Sequence, residues 1–167
     1  AANMGANFIK AGQYKTVLVI GAETLSRIID YPYRASCILF GDGAGAVVLQ
    51  RTNDPAKGLI YASLHADGSG ADVMKCMPGS RHPICNDMIA GKDQFIKLRG
   101  REVYKFAVTK FAELIEDAMR VCELTKDDVK LIVPHQVNQR IIDSAMEKLE
   151  MGPEKAHVNI DRYGNTS

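Results

Sequence analysis

The sequence lacks an excess of charge of either sign, because 21 lysine and arginine residues stand against 20 aspartate and glutamate, a formal net charge of +1. That balance supplies no field to hold a phosphate backbone or an anionic bilayer, so neither nucleic acid nor membrane is expected as a partner. Long apolar runs are missing too. Stretches such as Val17 to Ile20 fall far short of the roughly 20 residues that cross a bilayer, and no basic-then-apolar leader opens the chain. Cysteine is sparse. Cys37, Cys76, Cys85 and Cys122 form no Cys-x-x-Cys pair, which argues against a disulfide framework and for reduced thiols in a cytoplasm. What remains is 167 residues with 46% hydrophobic and 25% charged content, ordinary for a globular protein with a sizeable core and far from collagen-like or disordered composition.

Residues Ala2 to Lys10 read as the tail of a small-residue helix that Gly12 stops. Thr16 to Ile20 is too short and apolar for a helix and reads as a buried strand; Gly41 to Leu49 and Leu59 to Leu64 read as two more. Asp67 to Gly91, rich in Gly, Pro and Ser without a period, reads as a long surface excursion. From Gly100 the period becomes helical, with Val103, Phe106, Ala107, Phe111, Leu114, Ile115, Ala118, Met119 and Cys122 on one inward face. Thr125 to Asp128 suits a helix start, and Leu131 to Val133 another strand. Asn138 to Glu150 reads as the next helix, ended by Gly152-Pro153, and Val158 to Ile160 as the last strand. This alternation predicts an α/β layered fold with mixed, largely parallel sheets flanked by helices.

Gly41-Asp42-Gly43-Ala44-Gly45 has the glycines of a phosphate loop, but a β-run follows where a helix N-terminus is required, so tight backbone packing is the better reading. Cys37 sits amid Ile38, Leu39 and Phe40 and reads as core. His65, His82, His135 and His157 show no metal-ligand spacing; His82 and His157 read as surface residues. Asn165-Thr166-Ser167 fits a glycosylation pattern that only exported chains use, and with no leader in view it reads as coincidence. His135 lies just past the carboxyl end of one predicted strand and Asn165 follows another, and a right-handed crossover would place both ends on one sheet edge. Geometry leaves two possibilities open: a shared site or a merely structural pair.

Three words of the sequence carry a specific resemblance: Leu39 to Ala46 (LFGDGAGA), Val133 to Ile141 (VPHQVNQRI) and Tyr163 to Ser167 (YGNTS). With lesser agreement at Gly12 to Arg27, Leu64 to Gly68 and Gly100 to Val108, they make the chain resemble beta-ketoacyl-acyl-carrier-protein synthase III of the thiolase superfamily, over about half of a family member. The resemblance implies a thiolase-like fold, with residues 1–52 the end of the N-terminal half and 53–167 most of the C-terminal half. It implies an acyltransferase in which an active-site cysteine takes an acyl group from acyl-coenzyme A and condenses it with malonyl-acyl carrier protein as carbon dioxide leaves, the initiating step of type II fatty acid synthesis.

In that resemblance His135 and Asn165 match the catalytic histidine and asparagine, which aim N–H donors at the thioester oxygen. Arg140 matches a basic position near the pantetheine tunnel, where the structural alternative is a solvated arginine. Asn138 matches an inner position of the same motif, and Gly100 and Tyr104 match tunnel-lining positions. No separate cofactor or metal is implied, coenzyme A entering as a thioester substrate, and a homodimer is expected. None of the four cysteines matches the nucleophile, which by register falls a few residues before Ala1, and both ends look cut. The alternatives are another thiolase-fold condensing enzyme, of secondary metabolism, and a noncatalytic acyl- or carrier-binding paralogue.

Overall fold

The computed structural model describes residues 1–79 and 82–167. It opens with helix α1 (Ala2–Lys10), followed by strand β1 (Thr16–Thr24), a 3-10 turn (Leu25–Ile28), short helix α2 (Arg34–Cys37) and strand β2 (Asp42–Gln50). β1 and β2 pair antiparallel over their whole length, from Thr16 opposite Gln50 to Thr24 opposite Asp42. α1 covers one face of this ribbon. Its Gly5 sits so close that an added Cβ would stand 3.1 Å from both Leu49 and Val17, so the small residue sets the helix-to-sheet spacing.

A second ribbon pairs β3 (Met74–Lys75) with β4 (Lys97–Leu98), with α3 (Asn86–Ala90) between them. Helix α4 (Gly100–Val121) then packs on α5 (Gln139–Lys148), and α6 (Ile160–Tyr163) is one turn close to the end. The core lies between α4 and α5: Ala112, Ile142, Met146, Leu149 and Met151 are buried, with Val129, Ile132, Ala156 and Val158 packed against them. Ala112 faces α5 because a methyl group lets the two helices approach closely. Each fully buried aliphatic side chain here contributes about 2 kcal/mol.

Several expected elements take another form. Among the described residues the two ladders are antiparallel, and parallel pairing is confined to two isolated bridges, Phe40 with Asn165 and Ile132 with Ala156. Leu59 to Leu64 forms no strand, and Leu131 to Val133 contributes only Ile132, because an extended segment becomes a strand only where a neighbour supplies the ladder. The predicted strand Val158 to Ile160 is replaced by the bridge at Ala156 and by α6, which begins at Ile160. Thr125 to Asp128 is a single turn closed by its own side chain, the Asp128 carboxylate accepting from Thr125 N at 2.8 Å and Oγ1 at 2.6 Å.

Burial also departs from the periodic reading. Leu18 and Ile20 on β1 are exposed, since α1 covers only the other face. Phe106 and Leu114 lie in a groove with His65 and Asp117 rather than in the core. Cys37 is half-buried at the end of α2 beside an exposed Ile38, not in the core, and all four cysteines are free. The excursion from Asp67 to Gly91 carries a 3-10 turn, β3 and α3; Ser80 and Arg81 lie outside the described residues. His82 and His157 are exposed. Among the described residues no helix is long and apolar enough to cross a membrane.

Candidate active site

Asn165 is placed by the glycine-rich word. Its backbone N–H donates to Leu39 O at 2.8 Å, and Gly41 N–H donates to Asn165 O at 2.9 Å, so residues 39–41 and 165 run side by side. Any side chain at Gly41 would collide with the carbonyl oxygen of Tyr163. Gly164 turns the chain with φ 68°, a left-handed conformation that glycine adopts without a Cβ penalty. β2 begins directly at Asp42, with no helix N-terminus for a phosphate. Tight packing is therefore the work of Gly41, as the sequence suggests.

The Asn165 side chain is buried, and its Oδ1 accepts from Ser167 N–H at 3.0 Å. That bond fixes the amide's orientation and leaves Nδ2 with no hydrogen-bond partner among the described residues. Beside this segment opens a groove of about 430 Å³ walled by Glu23, Asn159, Tyr163 and Thr166.

His135 sits on the loop that leaves the Ile132 bridge. Ile132 N–H donates to Lys155 O at 2.7 Å and His157 N–H to Ile132 O at 2.8 Å, which holds this segment beside 155–157. Pro134 is buried, Val137 N–H donates to His135 O at 3.0 Å, and α5 starts at once. Solvent still reaches His135, yet the surrounding protein disfavours the imidazolium and pushes its pKa below the ordinary 6.5. At neutral pH the ring is therefore uncharged, with one N–H to donate and one nitrogen to accept.

His135 and Asn165 share no hydrogen bond among the described residues. Their segments are joined instead through Gln136, whose Nε2 donates to Pro134 O at 3.1 Å and His157 O at 3.0 Å and whose Oε1 accepts from Asn159 N–H at 2.9 Å. Asn159 in turn leads through α6 to Asn165. The sequence reading passed over Gln136, although it stands between His135 and a helix start, where a side chain with both donors and an acceptor can close a turn.

The remaining candidates surround α5. Asn138 is its N-cap, the Oδ1 accepting from Arg140 N–H at 2.9 Å, which orients the amide and leaves its N–H groups, unpartnered among the described residues, free to meet a ligand. Arg140 is exposed in the first turn and makes no ion pair among the described residues. The Tyr104 hydroxyl lies 2.7 Å from Ser144 Oγ, tying α4 to α5, and Gly100 is the first residue of α4, with Leu98 Cδ1 3.7 Å from where its Cβ would be. Also missed was the Ser26–Asp42 clamp. Ser26 N–H and Oγ donate to the two Asp42 carboxylate oxygens at 2.8 and 2.6 Å, and these bonds, side chain first, hold the Asp42 pKa below 3.8. Among the described residues no cluster of three His, Cys, Asp or Glu could hold a metal ion.

This mixed α/β arrangement, with Asn165 held beside residues 39–41 and His135 past a parallel bridge, is the thiolase-like fold of solved 3-oxoacyl-[acyl-carrier-protein] synthase III chains. The crystal structure of 3-oxoacyl-[acyl-carrier-protein] synthase III from Aquifex aeolicus VF5 matches it with a TM-score of 0.85 at 39% identity, over 100% of this chain and 49% of that one. The priming beta-ketosynthase of the R1128 polyketide pathway matches with a TM-score of 0.81 at 28% identity, over 99% of this chain and 48% of that one. The profile described as 3-Oxoacyl-[acyl-carrier-protein (ACP)] synthase III matches residues 1–68, and that of its C terminal matches residues 119–167. The beta-ketoacyl-[acyl-carrier-protein] synthase III of Natranaerobius thermophilus is 44% identical over 167 residues, 98% of this chain and 51% of the relative. The chain belongs to the 3-oxoacyl-[acyl-carrier-protein] synthase III family and spans about half the length of the curated relatives it matches.

Proposed function

We propose that this chain is the part of a beta-ketoacyl-acyl-carrier-protein synthase III that supplies the hydrogen-bond donors for decarboxylating condensation. A cysteine supplied from outside these residues attacks the carbonyl carbon of acyl-coenzyme A, and coenzyme A leaves as the free thiol. Malonyl-acyl carrier protein then loses carbon dioxide, and the electron pair of the broken C–C bond becomes an enolate on its thioester. That carbon attacks the acyl-cysteine, the thiolate departs, and the β-ketoacyl carrier is released. No cofactor or metal takes part; coenzyme A is only the carrier of the acyl group.

His135 and Asn165 stabilise the enolate oxygen, a neutral imidazole N–H and a carboxamide N–H each contributing about 3 kcal/mol of barrier lowering in a dry site. The observation that carries this reading is Asn165, a buried residue whose amide is oriented through Oδ1 while its N–H groups have no protein partner among the described residues and stay open to an incoming group. Arg140, with its exposed guanidinium, and the amide of Asn138 receive the phosphate and pantetheine end of the substrate, and Gly100 and Tyr104 wall its tunnel. The active form is a cytoplasmic homodimer. Likeness to the R1128 priming ketosynthase favours a second reading, a condensing enzyme that primes a secondary-metabolite chain from a different acyl starter.

Incubating the complete protein with acetyl-coenzyme A and malonyl-acyl carrier protein tests the proposal. We expect one carbon dioxide, one free coenzyme A and one β-ketoacyl carrier per turnover. Binding of the carrier without carbon dioxide release would identify the noncatalytic paralogue instead, and turnover only with longer or branched starters the second reading.

A further inference from the structure

We propose that Gln136 is a positioning residue that sets His135 and the Asn165 segment in one fixed relation, an inference that rests on the donor roles assigned to those two residues. The Gln136 amide makes three hydrogen bonds. Both Nε2 hydrogens are engaged by backbone carbonyls, Pro134 O at 3.1 Å and His157 O at 3.0 Å, and Oε1 by the Asn159 N–H at 2.9 Å. These partners dictate its orientation, since a flipped amide would turn oxygen on two carbonyls and nitrogen on an N–H.

The anchored atoms are those that matter to the two donors. Pro134 O belongs to the peptide joining Pro134 to His135, so the Gln136 contact limits rotation of the backbone from which the imidazole hangs. Asn159 precedes α6, and its carbonyl accepts from Arg162 N–H at 3.1 Å and Tyr163 N–H at 3.3 Å, so locating Asn159 locates the single turn that ends at Gly164. Beyond that turn Asn165 is held by Leu39 and Gly41. One side chain thus links the backbone beneath His135 to the segment that delivers Asn165. Met matches its length and has neither donor nor acceptor; Glu keeps the acceptor but, when ionised, turns an oxygen on two carbonyls.

The test uses Gln136→Met and Gln136→Glu in the complete enzyme, with His135→Ala and Asn165→Ala prepared in parallel. Acyl-enzyme is read by intact mass, carbon dioxide release from malonyl-acyl carrier protein in the same preparations, and folding by thermal melting. In Gln136→Met we expect acyl-enzyme formation within about twofold of wild type and carbon dioxide release lower by roughly tenfold or more, because small misplacements of reacting groups are costly. Gln136→Glu should show a deficit relative to wild type that shrinks as pH falls and the introduced carboxyl gains a proton to donate; this comparison stands even if Gln136→Met does not fold. Carbon dioxide release at the wild-type rate in folded Gln136→Met overturns the proposal. So does an equal fall of acylation and decarboxylation, which is general loosening. If His135→Ala and Asn165→Ala also keep full decarboxylation, the donor assignment itself fails and this inference with it; if they lose it while Gln136→Met does not, only the inference fails.

Discussion

The backbone N–H of Gly41 donates to the carbonyl oxygen of Asn165 at 2.9 Å, a contact possible only because nothing projects from Gly41 toward the Tyr163 carbonyl. We predict that Gly41→Ala forces the 163–165 backbone away and lowers stability by about 2 kcal/mol, as overpacking against rigid backbone does. Denaturant unfolding measures this. An unchanged midpoint would show that the segment shifts at no cost.

Asp42 keeps its charge through Ser26, whose hydroxyl and N–H both donate to it. A folded-state pKa below the unfolded value of 3.8 means stability that is present above 3.8 and lost as pH falls through the folded pKa. Ser26→Ala removes the larger of the two causes, so the Asp42 carboxyl should titrate at higher pH than in wild type. A carboxyl-detected nuclear magnetic resonance titration reads the shift, and identical curves for the two proteins would contradict it.

His135 titrates with the same sign, for a different reason. Its folded pKa lies below 6.5 because its surroundings disfavour the cation, so the unfolded chain binds the proton more readily and stability falls as pH drops below 6.5. His135→Gln should lose less stability than wild type between about pH 7 and about pH 5. Equal losses, or an imidazole titration at or above 6.5, would show that the ring is not desolvated.

Much of this arrangement is legible in the residues, and the rest fails for identifiable reasons. The apolar period of Ile141, Ile142, Ala145 and Met146 is local, and α5 follows it closely, with Asn138 as its cap. The strands read at Thr16 to Ile20 and Gly41 to Leu49 form because each is the other's ladder, and pairing carries them on to Thr24 and Gln50. Leu59 to Leu64 has equal β propensity and no ladder, so propensity alone misleads there. The period of α4 identifies a helix but not which flank is covered, and Phe106 and Leu114 came out exposed because α5 packs over Ala112. His135 follows the apolar run Leu131 to Val133, whereas Asn165 is delivered by α6 and the turn at Gly164 and not by the strand expected at Val158 to Ile160. Gln136 does not, since its role exists only once Pro134, His157 and Asn159 are brought together.

In the proposed function His135 and Asn165 act on one developing oxygen while a cysteine from outside these residues makes the first covalent bond. Acyl-enzyme and carbon dioxide, measured together in His135→Ala, Asn165→Ala and the double variant of the complete enzyme, test it most directly. We expect acylation to survive, each single change to slow decarboxylation by about 100-fold, and the double change to cost less than the product of the singles, since groups acting as a unit are not additive. Decarboxylation at the wild-type rate in either folded single variant would contradict it.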